Sequence, residues 1–162
     1  MSSEPRSPLA PIPAAWTATL ALDIRPVPAA EGYRPEVSSF VQITGEWRGL
    51  LVVSGTERMA RSVAAAMFSL PADELDSDMV NDAFGEMANV LGGVVKLGIP
   101  GSEGLSLPMV VQGYGHLVSL PLMKMIESQY YECDGELLSV KLCHHVGCGR
   151  AKTIPMPGRE AA

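Results

Sequence analysis

Ser77 to Leu97 is the stretch that most restricts what this chain can become. It contains no proline, and Val80, Ala83, Phe84, Met87, Leu91 and Val94 recur at helical spacing. At ~100° per residue these six side chains share one stripe. Asp76 or Ser77 can cap its start, and Gly98 and Pro100 stop it. A helix this long with one apolar side needs a surface to lie on. The rest of the chain supplies it, because the period on both sides changes from helical to alternating.

Val37–Thr44 and Trp47–Ser54 predict two strands around a tight Gly45-Glu46 connection. Thr56 then caps a first helix over Glu57–Ser69, which Pro71 ends. After the long helix, Leu105–Val111 and His116–Leu120 read as short strands. Met123–Cys133 and Glu136–His144 form a hairpin across Asp134-Gly135, a pair suited to turn positions with positive φ. Strands, two consecutive helices, then strands again predict an α+β domain: an antiparallel sheet with two helices packed on one face. Of the thirteen prolines, those at 5, 8, 11, 13, 26, 28 and 35 fall early in the chain. Residues 1–36 therefore read as a Pro-rich leader with a short helix near Ala14–Leu22, residues 37–146 as the domain, and 147–162 as a flexible tail.

Composition narrows the function classes. Twelve Lys+Arg against eighteen Asp+Glu give a net charge of −6 with no basic cluster, which argues against nucleic acid. The longest apolar runs, such as Leu50–Val53, fall far short of the ~20 residues that span a bilayer. Pro8, Pro11 and Pro13 interrupt any signal-peptide core. Three cysteines are too few for a disulfide framework. These features favour a protein of the cytoplasm.

Opposite its apolar stripe the long helix carries Asp78, Asp82, Glu86, Asn89, Gly93 and Lys96. Glu86 and Asn89 are i,i+3 neighbours, so their side chains stand together. Asn inside a helix costs up to ~0.7 kcal/mol relative to Ala, and glycine costs ~1 kcal/mol. Gly85, Gly92 and Gly93 lie on or beside the polar face, where core packing is not expected to require them. Bare helix around a Glu/Asn pair suggests close approach by another protein's backbone.

The order VQITGEWRGLLVVSG, AAAMF, DAFGEMANVLGG and LSLPMVVQG resembles the CheX branch of the CheC/CheX/FliY phosphatases of bacterial chemotaxis, over about Phe40–His144. The most specific element is E-x-x-N at Glu86–Asn89, after an I-T-G hairpin and before P-x-V-V. That resemblance implies hydrolysis of the aspartyl-phosphate of a response-regulator receiver domain such as CheY. Asn89 would be the catalytic amide that orients the attacking water, and Glu86 the carboxylate that holds a basic side chain of the receiver. Asp82, Gly85, Gly92 and Gly93 would belong to the partner-docking face. It also implies no cofactor of the chain's own, since Mg²⁺ would sit in the receiver. The single E-x-x-N matches CheX rather than the two-site CheC, and with it a homodimer. Gly93 departs from the pattern, because family members often carry Asn or another larger residue there. A non-catalytic module that docks a signalling partner is the alternative, and the partner need not be CheY.

Other chemistry is weaker. Cys143, His144, His145 and Cys148 are metal-capable, and Cys133 is placed to face Cys143 across the hairpin. C-x₄-C at a strand end lacks the spacing of a closed zinc site, and alternate residues diverge, so no metal site is assigned. His116 reads as structural. Gly113-Tyr114-Gly115 lacks the strand–loop–helix setting of a phosphate cradle.

Overall fold

A computed structural model describes residues 6–113 and 122–146. Three helices, α1 (Ile12–Leu20), α2 (Glu57–Phe68) and α3 (Ser77–Lys96), pack on one face of an antiparallel sheet. The strands are β1 (Arg25–Val27), β2 (Val37–Gly45), β3 (Gly49–Gly55), β4 (Ser102–Leu105), β5 (Met109–Gln112), β6 (Met123–Cys133) and β7 (Glu136–His145). Their order is β1-β6-β7-β3-β2, with β4 and β5 both on the outer edge of β2.

Both expected hairpins form. Asp134 and Gly135 take φ of 48° and 81° at the β6–β7 turn. Pairing of β3 with β7 joins the hairpins into one sheet. The expected strand over Leu105–Val111 is instead two strands, because Pro108 has no N–H to donate. β5 pairs with Val37–Phe40, and β4 with Ile43–Gly45. Ser106 closes the gap between them: Gln42 N donates to Ser106 Oγ at 3.0 Å, and Ser106 N donates to Gln42 O at 3.0 Å. Cys133 does not face Cys143. Cys133 is opposite Glu136, whereas Cys143 lies between Leu50 and Met125, since the tight turn sets a register that separates the two thiols. The expected strand His116–Leu120 and the tail from 147 lie outside the described residues.

Val80, Ala83, Phe84, Met87 and Leu91 of α3 are buried as their spacing predicts, but Val95 rather than Val94 completes the stripe. Thr56 Oγ1 accepts from Met59 N at 3.1 Å, and Asp76 Oδ1 from Met79 N at 2.8 Å, so both helices start at their expected caps.

The N-terminal segment is the main correction. Ile12 and Trp16 of α1 are fully buried, and β1 pairs with β6. The segment is therefore part of the domain, and the helical layer holds three helices instead of two. Pro11 at the N-cap and Pro13 in the first turn start α1 rather than loosen it, since a proline's fixed φ suits that turn and the missing N–H is unpaired there anyway.

The opposite sheet face has its own apolar cluster. Leu50, Val52 and Cys143 are buried there, with Phe40 and Met123 against them. Strand register adds Met109 beside Phe40 and Met125 beside Cys143. Both methionines are exposed, at 64% and 56%. Among the described residues no helix covers this face.

Candidate functional site

The site grows out of how α3 meets the sheet edge. Twenty residues give it a length of ~30 Å. Asn81 Oδ1 accepts from Gln112 Nε2 of β5 at 2.6 Å, which ties the helix to the edge near its start. Near its end, Lys96 Nζ donates to Glu103 O at 3.2 Å. Between these ties the helix presents Asp82, Glu86 and Asn89 outward; the two acids are exposed and the amide is half-buried. Among the described residues neither Glu86 nor Asn89 has a side-chain hydrogen-bond partner. Lys96 is the only basic residue of α3, so the outward face is acidic apart from its amides.

Two of the three glycines assigned to the docking face belong to the packing instead. A Cβ on Gly85 would sit 3.2 Å from Val110 Cγ2 and 3.5 Å from Pro108 Cγ. One on Gly92 would sit 3.3 Å from Val41 Cγ1 and 3.5 Å from Leu105 Cδ2. Both glycines are buried, and their bare surface lets α3 lie close on the edge made by β4, β5 and β2. The expectation that core packing does not need them is thus corrected. Gly93 differs: a Cβ there would meet nothing within 4 Å. It is the glycine that leaves open helix surface beside Asn89.

Sequence reasoning missed the setting of this stripe. Leu97 just past α3 is 84% exposed, and Leu107 between β4 and β5 is 90% exposed. The available signal was Pro108, which breaks the expected strand and leaves Leu107 at its corner.

Among the described residues the Cys/His end offers no competing centre. His144 stacks on Trp47 with ring centroids 5.0 Å apart, so its ring serves the packing of the β2–β3 turn. Burial pushes the Cys143 thiol above its ordinary range, with Lys141 opposing, and burial likewise raises Cys133. A nucleophilic cysteine needs the reverse shift. Among the described residues no three His, Cys, Asp or Glu side chains are grouped to hold a metal ion. Cys148, His116 and Tyr114 lie outside the described residues. Among the described residues no helix is long and apolar enough to cross a membrane.

No curated protein sequence matches the chain significantly. Solved structures do. Chemotaxis protein CheX from Vibrio vulnificus superposes with a TM-score of 0.70 at 19% identity, covering 88% of this chain and 99% of the other. A CheX from Desulfovibrio desulfuricans gives 0.69 at 22% identity, over 85% and 96%. The CheX–CheY–BeF₃–Mg²⁺ complex from Borrelia burgdorferi gives 0.67 at 17%, over 88% and 99%. At these identities the structures establish a common fold. The sequence model described as "Chemotaxis phosphatase CheX" matches residues 37–132, more than half of the chain and the whole span from β2 through the helix that carries Glu86 and Asn89 to most of β6. Fold and sequence thus agree that the chain belongs to the CheX family of chemotaxis phosphatases.

Proposed function

We propose that this chain hydrolyses the aspartyl-phosphate of a response-regulator receiver domain, with Asn89 orienting the attacking water and Glu86 holding a basic side chain of the receiver. The observation that carries this reading is the pairing of Glu86 and Asn89 on the outward face of α3, with no side-chain partner among the described residues, in a chain of the CheX family. The Borrelia burgdorferi relative was crystallised with CheY, BeF₃ and Mg²⁺, which supports a receiver as the class of partner here.

The chemistry asks little of this chain beyond placement. Phosphoryl transfer to water needs an in-line nucleophile and neutralised charge, with no covalent intermediate on the catalyst. In this reading the divalent cation belongs to the receiver and supplies the neutralisation. An amide offers a donor and an acceptor to one water and does not titrate, so Asn89 contributes positioning rather than base catalysis. Glu86, one turn earlier on the same face, fixes where the receiver sits. We also propose a homodimer formed through the sheet face opposite the helices, supported by the exposed Met109 beside Phe40 and the exposed Met125 beside Cys143. A cytoplasmic location follows from the proposed partner.

The test is decay of phosphorylated receivers from the same genome with wild type, Asn89→Ala and Glu86→Ala. Faster decay with wild type is expected. Turnover should fall about 100-fold in Asn89→Ala with binding retained, the scale at which misplaced reactants lose rate. If no receiver decays faster although the protein is folded, the phosphatase reading is wrong and α3 presents a docking surface only.

A further inference from the structure

The outward face of α3 is bounded by two leucines that the fold holds in water at no benefit to its own packing. Leu97 is 84% exposed and Leu107 is 90% exposed. Single exposed apolar residues are ordinary, so position must decide what these two mean. At ~100° per residue Gly93 and Leu97 each fall within about 20° of Glu86. Acid, open glycine and leucine therefore follow one another along one line of the helix, with Leu97 about 16 Å from Glu86 along the axis.

Leu107 stands on the other flank. Its neighbour Ser106 is bonded to Gln42 of β2 through both its amide and its hydroxyl. The following Pro108 lies against Gly85, where a Cβ would be 3.5 Å from Pro108 Cγ. Leu107 is thus carried on a fixed corner beside the Glu86 turn.

We propose that Leu97 and Leu107 are apolar anchors of the surface on which the receiver domain docks; this rests on the reading of Glu86 and Asn89 given above. A partner footprint of ordinary size, ~800 Å² a side, is a disc of about 16 Å radius, so one footprint centred on Asn89 takes in both leucines. A non-obligate contact is as a whole no more apolar than ordinary protein surface, and a few residues carry most of its binding energy. Charge selects the occupant. Asp78, Asp82 and Glu86 share this face, and the single lysine of α3 is turned back to Glu103 O. A second copy docking here about a two-fold axis would set these acids against themselves. A receiver docked as proposed above sets a basic side chain against Glu86, which is the complementary sign at the centre of this face.

The experiment measures the dissociation constant of each receiver of the same genome, loaded with beryllofluoride and Mg²⁺, for wild type, Leu97→Ser, Leu107→Ser and Asn89→Ala. Both leucines are exposed, so thermal unfolding of their variants should match wild type. The expected result is binding weakened about tenfold or more in each leucine variant, as for loss of one buried leucine contact. Under turnover these variants should raise KM and keep kcat, the reverse of Asn89→Ala. Unchanged affinity in both leucine variants overturns the proposal, as does failure of every receiver to bind wild type. Binding that depends on the leucines without any turnover supports the anchors and sinks the phosphatase reading, so the two failures are told apart.

Discussion

Gly92 and Gly93 are adjacent in sequence, carry the same intrinsic cost, and should respond oppositely to the same substitution. Replacing a helical glycine by alanine gains ~1 kcal/mol of propensity when the site has room. At Gly93 a Cβ meets nothing within 4 Å, so Gly93→Ala should stabilise by about that amount and raise Tm by roughly 2–4 °C for a domain of this size. At Gly92 the same atom would lie 3.3 Å from Val41 Cγ1, with Leu105 at 3.5 and 3.7 Å. Val41 is fully buried in the middle of β2 and cannot swing away. Overpacking of this kind costs ~1–3 kcal/mol, so Gly92→Ala should come out neutral to ~2 kcal/mol destabilised after the propensity gain. Urea unfolding of the two variants measures the difference directly, and Gly93→Ala should be the more stable by ~1–3 kcal/mol. Equal stabilisation by both would refute the reasoning, because it would mean that α3 has slack against the sheet. The same pair separates packing from docking: Gly93→Ala should weaken receiver binding although the protein is more stable.

Trp16→Ala should destabilise by ~3–5 kcal/mol in urea unfolding, since Trp16 is fully buried; a loss below ~1 kcal/mol would return α1 to the status of a loose leader. Burial, with Glu127 nearby, pushes the Tyr131 hydroxyl up from 10.0 to about 12. The unfolded chain then loses its proton first, so stability is full well below pH 10 and falls between pH 10 and 12, by roughly 3 kcal/mol for the full shift. Burial also pushes the Tyr33 hydroxyl up to about 12, so Tyr131→Phe should reduce that alkaline slope without abolishing it, and an unchanged slope would assign it to other groups. Native Cys133 and Cys143 should react with iodoacetamide more slowly than the same residues in denaturant, because burial raises both thiols; equal rates would contradict their placement.

The sheet and the two central helices were legible because their signals are local: alternation, caps at Thr56 and Asp76, and the Asp134-Gly135 turn. The Glu86–Asn89 pair was legible for the same reason, since i,i+3 spacing alone puts two side chains together. What remained hidden depended on partners distant in sequence. Whether Gly92 is bare for a neighbour's backbone or for Val41 and Leu105 is decided by strands β2 and β4, not by the helix. Proline at 11 and 13 reads as disorder until Trp16 is seen to have a core to enter. The break at Pro108 was visible in the letters, but its consequence, one edge shared by two strands, required β2 as the common partner.

The two ends of this domain close on each other, and that sets a delay for a newly made molecule. β1 pairs with β6, and β3 pairs with β7. The core that encloses Trp16 includes Leu138, Val140 and Leu142. At ~5–20 residues added per second, the interval between synthesis of Trp16 and of Leu142 is on the order of ten seconds. Throughout it the tryptophan and the apolar faces of α2 and α3 exist without the strands that shelter them. Folding during synthesis thus stalls short of completion until β7 has emerged, which makes the nascent chain a client for any factor that covers exposed hydrophobic surface.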